Sequence, residues 1–183
     1  MDVEFAYNKI FDFLENEDAS INLLNPKAGI FFAPELYLVF QIGKLLKTQE
    51  EKIFNGNISW IRETNFGNGG PTDLIFLKEN ELFLFEFKIA STSHSYMTDV
   101  EKLKRLNLEM INSKENFKNI SGLHKYFIAI VDVFSDEGKK DGRVVKLAEN
   151  INSDPINDFK MFSTNYDRYT RSNSCLLAMW KII

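Results

Sequence analysis

Pro71-Thr72-Asp73-Leu74-Ile75-Phe76-Leu77-Lys78-Glu79-Asn80-Glu81-Leu82-Phe83-Leu84-Phe85-Glu86-Phe87-Lys88-Ile89 is the stretch on which the reading of this chain turns. Asp73 to Leu77 and Leu82 to Ile89 are apolar, strand-favouring runs, and Lys78-Glu79-Asn80-Glu81 between them suits a short hairpin. Side chains alternate along a strand. Phe83, Phe85, Phe87 and Ile89 therefore share one face, while Leu82, Leu84, Glu86 and Lys88 share the other. Two opposite charges thus follow two leucines on one face of a strand apolar enough to be buried. Such side chains are seldom buried unless they pair, hold a metal or take part in chemistry. Glu-x-Lys also occurs at Glu50-Glu51-Lys52, which ends a helix-like segment, and at Glu137-Gly138-Lys139, a polar turn. Only at Glu86 does it lie inside an apolar strand, with Asp73 one hairpin earlier.

Outward from the hairpin, Ile58 to Phe66 reads as a preceding strand, closed by the turn signal Gly67-Asn68-Gly69-Gly70-Pro71. Before it, Pro34 to Lys47 has helical spacing, with Pro34 suited to the first position and Leu38, Val39, Ile42, Leu45 and Leu46 as its apolar stripe. Glu35 stands on that stripe in the first turn, where a glutamate also simply suits the helix dipole. Asp2 to Asn16 forms another amphipathic helix, which the polar run Glu15 to Ser20 is expected to break. Downstream, the loop Ser91-Thr92-Ser93-His94-Ser95 leads to a helix from Met97 to Asn112. Tyr126 to Phe134 is the nearly continuous apolar run expected of a central strand buried on both faces. Arg143 to Asn150 reads as a short helix and Cys175 to Ile183 as a final strand. This order predicts an α/β fold, a mixed sheet flanked by helices. No repeat, linker or low-complexity segment divides residues 1–183, so one domain is expected, with the helix at 2–16 packed on it.

Pro-x-Asp, a hairpin and Glu-x-Lys together resemble the core signature of the PD-(D/E)xK superfamily, the restriction-endonuclease-like phosphodiesterases. The resemblance covers Ile58 to about Leu108, and the flanks match through the order of their elements. It implies a restriction-endonuclease-like core of α-β-β-β-α-β order and a metal-dependent nuclease, by default an endonuclease acting on DNA. Phosphodiester hydrolysis of this kind needs a hard divalent cation held by a few carboxylates, with positions left open to water and phosphate. The resemblance assigns Asp73, Glu86 and the carbonyl of Phe87 to Mg²⁺, with Mn²⁺ as a substitute. Glu35 matches the acidic residue that the first core helix contributes in many members. Lys88 would orient or help deprotonate the attacking water, or stabilise charge building on the phosphate.

Asp99-Val100-Glu101-Lys102-Leu103 is similar to an acidic-x-x-Lys-Leu pattern common after the third strand of the superfamily. Lys102 and Arg105 would then touch a phosphate backbone. The plainer reading, and the favoured one, makes them the solvated face of a helix whose apolar stripe is Val100, Leu103, Leu106 and Met110. Thr164 to Asn173 poses the same choice. Arg168 and Arg171, with Tyr166 and Tyr169, either contact substrate or belong to an ordinary surface loop.

Composition narrows the partners. The chain is 44% hydrophobic with 17 phenylalanines, enough aromatic bulk for packing across a sheet. A single cysteine, Cys175, and two histidines exclude an internal disulfide framework and a zinc site of thiolates or imidazoles. The acidic start Met1-Asp2-Val3-Glu4 lacks a targeting pattern and no apolar run is long enough to span a bilayer, so a cytoplasmic protein with no membrane partner is expected. Twenty-two basic residues against 26 acidic give a net charge of −4, which argues against tight unaided binding to duplex DNA. A basic partner subunit would supply the missing charge, and double-strand cleavage would require a homodimer. The alternative is a non-catalytic module on the same fold that binds nucleic acid or protein. A further possibility is an interaction protein that offers its sheet or final strand to a partner.

Overall fold

Alternation along the apolar runs sorts their side chains onto two faces of one sheet. In the computed structural model, which describes residues 1–134, 138–165 and 173–183, helices cover both faces. The described strands are β1 (Ser59–Asn65), β2 (Pro71–Lys78), β3 (Glu81–Ile89), β4 (Gly122–Phe134), β5 (Lys160–Thr164) and β6 (Asn173–Ile182). They lie in the order β1-β2-β3-β4-β6-β5. β3 and β4 run parallel, and the other neighbours are antiparallel. A parallel pair needs a crossover, which α4 (Ser93–Arg105) and α5 (Leu108–Asn112) supply. The protein is thus α/β, with a mixed open sheet flanked by helices. No helix among the described residues is long and apolar enough to cross a membrane.

The two faces of β3 fall where alternation put them. Phe83, Phe85 and Phe87 pack with α1 (Val3–Leu24), α2 (Glu35–Thr48) and α3 (Glu50–Phe54). Leu82 and Leu84 pack with α4, α5 and α6 (Gly142–Ile151) on the other side. β4 is buried from Lys125 through Val133, as expected of a central strand.

Two helices differ from expectation. Asp2 caps α1 by accepting the Phe5 N–H at 2.9 Å, and the helix then runs through the polar stretch 15–20 to Leu24. Asp18 accounts for this: it is buried, accepts the Ile30 N–H at 2.7 Å and receives the Thr164 hydroxyl. A tertiary partner there outweighs weak local propensity. The helix expected from 97 to 112 is split. Leu106 turns extended (ψ 130°), and Asn107 begins α5 by accepting the Met110 N–H at 2.9 Å.

β5, five residues at the sheet edge, is too short to show a period and was not expected. Tyr7 of α1 ties it down: its hydroxyl donates to the Leu177 carbonyl at 2.8 Å and accepts the Lys160 N–H at 3.0 Å. Burial pushes this phenol up to about 12. Tyr7→Phe leaves both backbone groups short of a partner and is expected to cost about 1–3 kcal/mol, read from the midpoint of a urea titration.

Candidate functional site

β2 and β3 pair from Lys78–Glu81 to Leu74–Phe85, and their paired register ends there. β3 continues against β4 as far as Ile89–Ile130, so its other edge is bare beyond Phe85. Phe87 and Ile89, two residues apart, aim their N–H groups at that bare edge. Carboxylates take both. Asp73 Oδ2 accepts the Phe87 N–H at 2.8 Å, and Glu35 Oε2 accepts the Ile89 N–H at 3.1 Å. The same geometry turns the Phe87 carbonyl toward the parted edge. Gly69 and Gly70, at φ +115° and +150°, lead the chain into Pro71, which opens β2 without an N–H to donate.

Glu86 lies on the opposite sheet face from Phe87 and is 4% exposed. α4 brings Asp99 and Lys102, three residues apart and hence on one helix face, against it. The Lys102 ammonium pairs with Glu86 Oε1 and donates to the Pro71 carbonyl at 2.6 Å. Glu86 Oε2 is buried with no hydrogen-bond partner. The reading of Lys102 as part of a solvated face does not hold, because it is 9% exposed. Arg105 does stand exposed, as that reading had it. Lys88 Nζ lies 3.7 Å from Glu35 Oε1 and 3.6 Å from Asp99 Oδ2. Asp73, Glu86, Lys88, Asp99 and Lys102 open onto a cleft of about 510 Å³ walled by the loop Asn68–Pro71 and by α4, with His94 and Arg105 at its lining.

The electrostatics follow from burial. Desolvation pushes the Asp73 carboxyl up to about 6, against the pull of the Phe87 N–H. Desolvation, then the charge of Asp73, pushes Glu86 up to about 8, although Lys102 pulls it down. Burial disfavours the Lys88 ammonium, but Glu35, Asp99 and Asp73 outweigh it and hold its pKa above the ordinary value. Lys88 is therefore protonated at neutral pH. That suits holding an anion or a water oxygen and does not suit taking a proton.

Raised carboxyl pKa values carry a stability consequence. Between their ordinary values near 4 and these raised ones, the folded chain holds protons that the unfolded chain has released. Stability then falls as pH rises. Without divalent metal, the melting temperature is expected to drop from pH 5 to pH 8.5 and to level off above. Glu86→Gln, which removes the larger shift, should flatten that slope.

The donor set can be tested against a cation. No cluster of three or more His, Cys, Asp or Glu side chains arranged to hold a metal occurs among the described residues. What remains is two carboxylates, Asp73 and Glu86, with the Phe87 carbonyl at the same parted edge. These are hard oxygen donors, and the unpartnered Glu86 Oε2 is one of them. Their chemistry fits a small hard cation such as Mg²⁺ or Mn²⁺. Glu35 is engaged elsewhere, on the Ile89 N–H and beside Lys88.

Arg168 and Arg171, with Tyr166 and Tyr169, lie outside the described residues. Two features had no signal in the residue pattern. Asp99, whose place in the acidic-x-x-Lys-Leu pattern says nothing of its partner, stands beside Lys88. Ala90, directly after β3, has φ +42°, a conformation that costs a non-glycine about 1–3 kcal/mol. It is held by its N–H on the Ile130 carbonyl at 2.9 Å. Its neighbour Ser91 is fixed by the Tyr96 hydroxyl at 3.1 Å and by Arg143. Arg143 also pairs with Asp132 and Asp141, joining the end of β4 to α6 behind the site. Two of these contacts, Ala90 with Ile130 and Ser91 with Arg143, join residues far apart in sequence, which no local pattern reveals.

A scan of protein-family models finds no match to this chain, and comparisons with curated proteins and with solved structures find none either.

Proposed function

We propose that this chain is a metal-dependent nuclease with a restriction-endonuclease-like core. One observation carries the reading. Where β2 and β3 part, two carboxylates, Asp73 and Glu86, sit together with raised pKa values and one unpartnered oxygen, and open onto a cleft. Carboxylates held in that way are destabilised until a cation compensates them. Asp73 and Glu86 would hold Mg²⁺ or Mn²⁺, with the Phe87 carbonyl as a third donor. A bound cation would supply a polarised water and a counter-charge for the phosphate.

Lys88, protonated between Glu35 and Asp99, orients the water or faces the charge that builds on the phosphate. Glu35 positions Lys88 and pins the end of β3 through the Ile89 N–H. Arg105, exposed at the cleft, meets a backbone phosphate. DNA is the substrate that the resemblance implies. With a net charge of −4, binding leans on this local patch, on a basic partner subunit or on a homodimer.

The buried Lys102–Glu86 pair favours one other reading, a non-catalytic module in which Lys102 is a permanent counter-charge. One assay separates the two: labelled single- and double-stranded DNA and RNA incubated with the purified chain in Mg²⁺, Mn²⁺ or EDTA. Cutting that EDTA stops and Glu86→Gln removes supports the nuclease. Equal inactivity of both proteins, with no stabilisation of either by metal, sinks it in favour of the module.

A further inference from the structure

We infer that Lys102 is the resident counter-cation of the Asp73–Glu86 pair, that a divalent cation displaces its ammonium on binding, and that Lys102 thereby sets the metal affinity of the site. The inference rests on the nuclease reading but gives Lys102 a role other than the phosphate contact that the resemblance implies. Lys102 arrives from α4, not from the strands that carry the acids, and its Nζ takes two oxygens at the parted edge, Glu86 Oε1 and the Pro71 carbonyl. Coordination through Glu86 Oε2 alone would leave an ammonium on Oε1 of the same carboxylate. A dication and an ammonium so close, in poorly solvated surroundings, repel strongly.

Exchange is favourable in charge terms. Once both are ionised, the two carboxylates are half neutralised by one ammonium and fully neutralised by one divalent cation. It is also feasible sterically. The lysine stem is flexible and lies beside Gly70, where even an added Cβ would stand 3.8 Å from Lys102 Cδ. The cleft offers the freed ammonium Asp99, three residues back on α4, and solvent as new partners. Lysine suits this better than arginine, whose planar fork would hold both carboxylate oxygens at once.

The experiment is titration calorimetry with Mn²⁺ at constant pH on the wild type, Lys102→Met, Lys102→Arg and Glu86→Gln, with folding checked by circular dichroism. Lys102→Met is expected to bind Mn²⁺ at least tenfold more tightly than the wild type. Lys102→Arg, which keeps the charge, should bind no more tightly than the wild type, and Glu86→Gln should lose binding. If Lys102→Met does not fold, Lys102→Gln is expected to give the same tightening. Binding that is unchanged or weaker in the charge-removing variant overturns the inference and leaves the nuclease reading standing. No binding by any protein, wild type included, overturns both.

Discussion

Glu86→Gln is expected to lower metal-dependent cleavage by about 10³-fold or more while leaving the fold intact. The rate follows from the several kcal/mol of charge stabilisation that a correctly held divalent cation contributes, at about 1.4 kcal/mol per tenfold. Glutamine keeps the shape of Glu86 and an oxygen able to accept from Lys102, but it is a far poorer cation ligand than a carboxylate. Stability should respond in the opposite sense. Burial pushes Glu86 up to about 8, so holding its carboxylate ionised inside the fold is costly. A neutral amide there costs little, and at pH 8.5, where the wild-type carboxylate is forced to ionise, the variant should melt higher. Cleavage kinetics and melting curves on the same preparation read both. A variant that keeps its activity overturns the assignment of Glu86. One that loses activity and fold together would show only that the residue is structural. Asp73→Asn should lose activity in the same way, its side-chain oxygen still accepting the Phe87 N–H.

Trp180→Ala is the substitution expected to damage the fold most. Trp180 of β6 is fully buried against Phe127 and Phe159, at ring distances of 6.4 and 6.2 Å. Removing so large a ring from a close-packed interior leaves a cavity that the neighbouring strands cannot close. The cost is about 3–5 kcal/mol. For a chain of this size that corresponds to a fall in melting temperature of roughly 6–20 °C. Trp180→Phe, which fills part of the space, should lose less than half as much. Neither change touches the cleft, so metal-dependent activity per folded molecule should persist below the new transition.

The fold was legible where it depends on short-range periodicity. Alternation from Leu82 to Ile89 separated Phe83, Phe85 and Phe87 from Leu82 and Leu84, and these face two separate helical layers. The nearly continuous apolar run ending at Phe134 marked a strand covered on both sides. The polar run Glu15 to Ser20 misled, because Asp18 is satisfied by Ile30 and by Thr164, far along the chain. The break at Leu106 was hidden too, since Leu106 fits a helical stripe and its extended backbone answers to the packing around it.

The sequence by itself determined which residues could do chemistry: acids and lysines within apolar strands are rare enough to stand out, and Asp73, Glu86 and Lys88 do converge on one cleft. Only the tertiary structure decided how those groups are engaged. The parting of β2 from β3 commits Asp73 and Glu35 to backbone amides, and α4 lays Lys102 on Glu86 and Asp99 beside Lys88. Strand and helix periods are written locally along the chain. The partner of a buried charge is chosen by whichever distant element packs against it, and by the cost of leaving that charge alone.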